Sequence, residues 1–142
     1  MKELYLIQCT KSKRGKKSEA QRLYDESQLF KKMKLYVELK QVPWHILSAK
    51  HGMIHPCVEI EPYDEFGLSV NQSESIARRV NKRNPDCVSL LAGKKYVNPL
   101  TPELEKYGIE VLEPMRGLRY GERLSWLNDQ IKELENRQLT NA

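Results

Sequence analysis

Four short polar runs in this chain combine cations, hydroxyls and small residues in a way that suits anion chemistry. They are Cys9-Thr10-Lys11-Ser12-Lys13, Ser48-Ala49-Lys50-His51-Gly52, Ala92-Gly93-Lys94-Lys95-Tyr96 and Pro114-Met115-Arg116-Gly117-Leu118-Arg119. Cations attract phosphate, and small residues let backbone N–H groups approach it closely. Lys11, Lys13, Lys50, Arg116 and Arg119, with Cys9, Ser48 and Gly93 beside them, form the expected phosphate- or nucleic-acid-binding set. No G-x-x-x-x-G-K-[ST] and no G-x-G-x-x-G occurs, so neither an NTP-hydrolysing P-loop nor a dinucleotide fingerprint supports the reading.

Proton transfer needs a different kind of residue. His51, in the most concentrated of the four runs, suits general acid or base work near neutral pH. Asp64 follows Tyr63 in a long polar loop, and a carboxylate beside an aromatic ring suits the activation of water next to a stacked base. The plainer readings are an ordinary surface turn at 48–52 and a loop anchor at Pro62-Tyr63-Asp64. Tyr24, Ser27, Tyr63 and Tyr96 are the expected pocket and base-stacking residues, Tyr24 and Ser27 lying one helical turn apart. Cys9, beside Lys11 and Lys13, is also placed to act as a nucleophile, although spacing supplies it with no triad partner. His51, His55 and Cys57, with Cys9 as a fourth ligand, invite a zinc reading. Gly52 and Pro56 break the helical spacing of the two histidines, and the expectation is no metal and no diffusible cofactor.

Composition bounds these readings. The chain has 142 residues, 39% hydrophobic and 30% charged, which fits one soluble domain over residues 1–142, frayed at 138–142. Three cysteines without a C-x-x-C pair argue against a disulfide scaffold. With no signal-peptide pattern and no apolar run long enough to span a bilayer, the expected location is the cytoplasm, away from membranes. A net charge of +5 matters mainly because it is clustered. Lys11, Lys13, Arg14, Lys16 and Lys17 form one run, and Arg78, Arg79, Lys82 and Arg83 another. Such runs give salt-dependent affinity for phosphate backbones, or simply solvated surfaces.

Alternating strand-like and helix-like segments must position these groups. Strands are expected at 4–9, 44–48, 87–91 and 109–112. Helices are expected at about 19–40 with Ser18 as N-cap, from Asn71 with Glu74 in a capping box, from Thr101-Pro102-Glu103, and at about 122–137. Residues 49–70 read as one long polar loop. The pattern predicts a three-layer α/β fold with a short, about four-stranded, mainly parallel sheet and helices on both faces. In such sheets ligands bind outside the carboxyl ends of the strands, where all four polar runs fall.

A family likeness follows from residues in order along the chain. Cys9-Thr10-Lys11-Ser12-Lys13, Leu23-Tyr24-x-x-Ser27-x-x-Phe30, Ile46-Leu47-Ser48-Ala49-Lys50-His51-Gly52, Pro62-Tyr63-Asp64, Leu91-Ala92-Gly93-x-x-Tyr96 and Gly117-x-x-x-Gly121 together resemble a small YaaA-like family. That family is distantly similar to uracil-DNA-glycosylase-type domains, and the likeness spans residues 4 to about 127. It implies a glycosylase-like enzyme that cleaves the N-glycosidic bond of a base, with nucleic acid (DNA before RNA) or a nucleotide as partner. A non-catalytic binding module and a free-nucleotide hydrolase or transferase are the alternatives.

Overall fold

Leu4, Tyr5, Leu6 and Ile7 are all buried, and so are Val88, Ser89, Leu90 and Leu91. Consecutive buried residues are what a parallel strand covered on both faces requires. The computed structural model describes residues 2–9, 17–23 and 27–141, and it places these two runs side by side. In chain order the elements are β1 (Glu3–Gln8), β2 (Ser18–Glu19), α1 (Ala20–Leu23), α2 (Gln28–Lys40), β3 (Trp44–Ser48), β4 (Gly52–Ile54), β5 (Glu59–Ile60), α3 (Val70–Lys82), β6 (Cys87–Leu91), α4 (Lys94–Glu105), β7 (Glu110–Leu112) and α5 (Tyr120–Asn141).

The main sheet has the order β4-β3-β1-β6-β7. Four strands are parallel, and β4 runs antiparallel to β3 on one edge. Helices cover both faces: α2 packs with α5, and α3 with α4. A right-handed crossover demands this split, because the chain steps one way from β1 to β3 and the other way from β3 to β6 and β7. The aromatic rings Tyr5, Tyr36 and Trp126 stack edge to face at 6.1 and 5.5 Å and tie β1, α2 and α5 together. The three-layer α/β expectation holds, with a fifth strand that the sequence pattern hid inside the long loop. Among the described residues, no helix is long and apolar enough to cross a membrane.

Three helix starts differ from the sequence reading, each for a local reason. Ser18 caps no helix: Ser18 and Glu19 pair with Ile60 and Glu59, and the N–H groups of Ala20 and Gln21 donate to the carbonyls of Val58 and Pro56. The expected single helix is instead α1 and α2, and Ser27 caps α2 by accepting from the Phe30 N–H at 3.2 Å. On α3 the capping box is Ser69 with Gln72, two residues before the expected pair. The third start is the largest shift: α4 begins after Gly93 and runs through Pro99 and Pro102. Pro99 supplies no N–H, and the Lys95 carbonyl four residues back accepts from the Leu68 N–H at 3.1 Å instead. Thr101, expected as a cap, donates its hydroxyl to Glu113 at 3.2 Å.

One buried group makes the fold sensitive to acid. His45 on β3 is 6% exposed, its Nε2 lies 3.4 Å from an Arg83 nitrogen, and its Nδ1 has no hydrogen-bond partner among the described residues. The guanidinium can only donate, so the neutral ring accepts at Nε2 and carries its proton on the buried Nδ1. Burial first, then the charges of Arg83, His55 and Arg79, lower its pKa from 6.5 to about 4. Between those values the unfolded chain binds a proton that the folded chain refuses. Stability therefore falls as pH drops through that window, and this ring has no effect above it. At pH 5 the loss is about 2 kcal/mol. His45→Phe is expected to flatten the acid limb of stability, measured by urea unfolding from pH 4 to 7; an unaltered limb would clear His45 as its cause.

Candidate functional site

Strand order reverses between β1 and β6, and in open sheets of this kind ligands bind outside the carboxyl ends of the strands. Gln8 ends β1 and is 5% exposed; its Oε1 accepts from the Gly93 N–H. Cys9 and Tyr96, both fully buried, touch there, with Sγ 2.9 Å from Oη. The Tyr96 ring packs edge-on against Phe66 at 5.3 Å. These contacts fix the first turn of α4 against the centre of the sheet. Gly93, the N-cap, offers that turn no side-chain cap, so the N–H groups of Lys94 and Lys95 carry the partial positive charge of a helix start.

Beside this turn lies a cavity of about 500 Å³, bounded by the end of β6, the start of α4, and the segment from β7 into α5. Lys94, Arg116, Arg119 and Arg123 supply its cations, Glu113 a carboxylate and Asn98 an amide, over an apolar wall of Val97, Met115 and Leu118. Arg123 is held by its Nε, which donates to the Leu118 carbonyl at 3.0 Å. Its two terminal nitrogens lie 3.1 Å from where a Cβ on Gly93 would sit, and Gln8 Oε1 lies 3.4 Å away. Gly93 is thus small because a guanidinium occupies the space above it. Gly93→Ala is expected to push Arg123 aside and weaken phosphate binding several-fold, with about 1 kcal/mol of stability lost, since the backbone there is ordinary but Ala is a poorer cap than Gly. Calorimetric titration of AMP, with a thermal melt alongside, checks both halves.

Further along the carboxyl edge a second cluster forms at the end of β3. The buried Ser48 hydroxyl donates to Tyr63 Oη at 2.7 Å and accepts from the N–H groups of Lys50 and His51 at 3.2 and 3.0 Å. That hydroxyl closes the turn that carries the chain into β4. The His51 ring stands edge-on to Tyr63 at 5.6 Å. Partial burial and the Lys50 charge, opposed by Glu65, hold its pKa below the usual histidine value, so it is neutral at pH 7 and able to accept a proton. Asp64, next to Tyr63 in the chain, is exposed, as is Lys50.

The structure thus separates the sequence-derived residues into groups. Gly93, Arg116 and Arg119 line the cavity, and Cys9 lies buried at the β1–α4 junction behind Gly93. Ser48, Lys50, His51, Tyr63 and Asp64 gather at β3, outside the cavity lining. Ser27 is a helix cap, and Tyr63 and Tyr96 are buried struts rather than open stacking faces. Lys11, Lys13 and Tyr24 lie outside the described residues. The run on α3 sits elsewhere: Arg83 lines a depression with Lys2, Glu3 and Pro43 at the amino edge of the sheet. That edge is a strand length, about 17 Å, from the carboxyl edge. Sequence reasoning missed Gln8, Glu113 and Arg123. Arg123 reads there as one more cation on an amphipathic helix, and its only hint is the neighbouring Gly117-x-x-x-Gly121.

Residues 4–129 match a family of unknown function (DUF6884), and the chain belongs to that family. Neither the curated proteins nor the solved structures contain a significant match.

Proposed function

We propose that this protein binds the phosphate of a nucleotide or nucleic acid at the amino end of α4 and cleaves the N-glycosidic bond of the attached base, as a glycosylase-like enzyme. One observation carries the reading: four cations and the first turn of α4 border a single cavity at the carboxyl ends of β6 and β7. A phosphate seated there meets charge on the side chains and N–H dipoles on the backbone together. A volume of about 500 Å³ suits a ligand of nucleotide size. The ordered motifs shared with YaaA-like proteins, and the distant likeness to uracil-DNA-glycosylase-type domains, favour base excision as the reaction class.

The chemistry asks little beyond water. As the C1′–N bond breaks, its electron pair leaves with the base and positive charge builds on the sugar. A carboxylate facing that charge stabilises it, and Glu113 within the cavity or Asp64 at the β3 end supplies one. Water adds at C1′, one of its protons passes to a base such as His51 or a carboxylate, and the departing nucleobase is protonated. A second reading, a binding module without chemistry, draws on the position of His51 and Asp64 outside the cavity lining.

The deciding experiment assays released base from nucleoside monophosphates and from normal and modified DNA, with binding measured across a salt series. Base release that disappears in Glu113→Gln or Asp64→Asn, while ligand binding persists, supports the enzyme. Binding without product from any substrate supports the module. No binding at low salt sinks both.

A further inference from the structure

We infer that the cavity takes the terminal phosphate monoester of a free nucleotide, a dianion, and not an internal phosphodiester of a nucleic-acid strand. This rests on the phosphate-site reading above and narrows its ligand.

Charge is the first argument. Four cations line the cavity against one carboxylate. That carboxylate is already engaged: Glu113 accepts from Thr101 at 3.2 Å and lies 3.8 Å from Arg116. A diester phosphate brings one negative charge, whereas a monoester brings nearly two at neutral pH. The surplus of positive charge matches the dianion better, and each unmatched cation at close range costs binding energy.

The surroundings are the second argument. A protein that follows a nucleic-acid strand continues its basic surface beyond the first phosphate. Among the described residues, the stretch of the same edge beside β3 is mainly acidic. Glu59, Glu61, Asp64 and Glu65 are all exposed on the segment that Tyr63 pins to the end of β3. In the sheet order, β3 is two strands from β6, and these carboxylates lie on the β3 side of the cavity. A strand leaving the cavity toward β3 meets like charge, while a nucleotide whose chain ends in the cavity does not. The basic run of α3, which would extend a polyanion track, ends at the opposite edge of the sheet.

The test titrates the intact protein with methyl phosphate, dimethyl phosphate and AMP, and then competes bound AMP with a short thymidine oligonucleotide bearing either a 5′-hydroxyl or a 5′-phosphate. Methyl phosphate and AMP are expected to bind more tightly as pH rises through about 6, where the monoester gains its second charge. Dimethyl phosphate is expected to bind about tenfold more weakly or worse. Neither oligonucleotide should displace AMP at comparable concentration. Equal binding of the two methyl esters, or displacement by the 5′-hydroxyl strand, overturns the inference and leaves the phosphate site standing. Displacement by the 5′-phosphorylated strand alone keeps the monoester and overturns the free nucleotide. If no phosphate binds, the phosphate-site reading fails and this inference with it.

Discussion

Arg123→Gln is expected to weaken AMP binding about 10- to 100-fold while leaving the melting temperature nearly unchanged. A charge-assisted hydrogen bond contributes roughly 1.5–3 kcal/mol, and the Arg123 guanidinium lies over Gly93 at the start of α4. The substitution keeps a polar side chain of similar length but removes the charge and the fork of donors. Stability should hold, because the fold loses only the bond from Nε to the Leu118 carbonyl on a half-buried side chain. Arg116 offers an internal control. Its side chain is 81% exposed, and its contact with Glu113 is a surface pair at 3.8 Å. Arg116→Gln should therefore cost AMP affinity less than Arg123→Gln does. Equal losses from the two, read by calorimetry, would mean that the field of the whole cavity binds the phosphate and that Arg123 has no special place in it.

Tyr96→Ala is expected to destabilise the protein by about 3–5 kcal/mol, the usual cost of deleting a large buried aromatic side chain. Tyr96 is among the largest fully buried side chains, packed against Phe66 and in contact with Cys9. Its loss opens a cavity beneath the first turn of α4, so phosphate affinity should fall along with stability. Tyr96→Phe separates the two causes. The ring and its packing remain, only the contact between Oη and Sγ goes, and the cost should be about 1 kcal/mol. Urea unfolding of both variants checks the pair. If Phe is as damaging as Ala, the hydroxyl contact and not the ring holds α4 against β1.

Much of the architecture was legible in local chemistry. The apolar runs at 4–8, 44–48 and 87–91 are strands as their composition implies, because a strand covered on both faces has no polar alternate to blur it. Helix existence was equally readable; helix starts were not. Thr101-Pro102-Glu103 carries every local mark of a start, yet α4 begins after Gly93. The reason is that Thr101 finds a better-placed partner in Glu113, and Leu68 satisfies a carbonyl that Pro99 leaves open. Glu113 lies twelve residues on, beyond β7, and Leu68 lies far back in the chain, so the capping residues around position 101 do not reveal either partner. Ser18 failed as a cap for the same reason, its backbone being paired with a segment some forty residues on.

The site shows the same division. By itself the sequence determined the α/β class and the order of strands and polar runs along the chain, since these depend on periodicity and on the order of elements. Which of those runs meet was decided only by the tertiary structure. Strand order brings Gly93 to Gln8 and Cys9 and sets Ser48 two strands away, and the return of α5 lays Arg123 over Gly93. It also sends the basic run of α3 to the far edge and an acidic loop to the near one. Charge acts through space and not along the chain, so a row of cations in a sequence does not say what it faces until the fold has placed it.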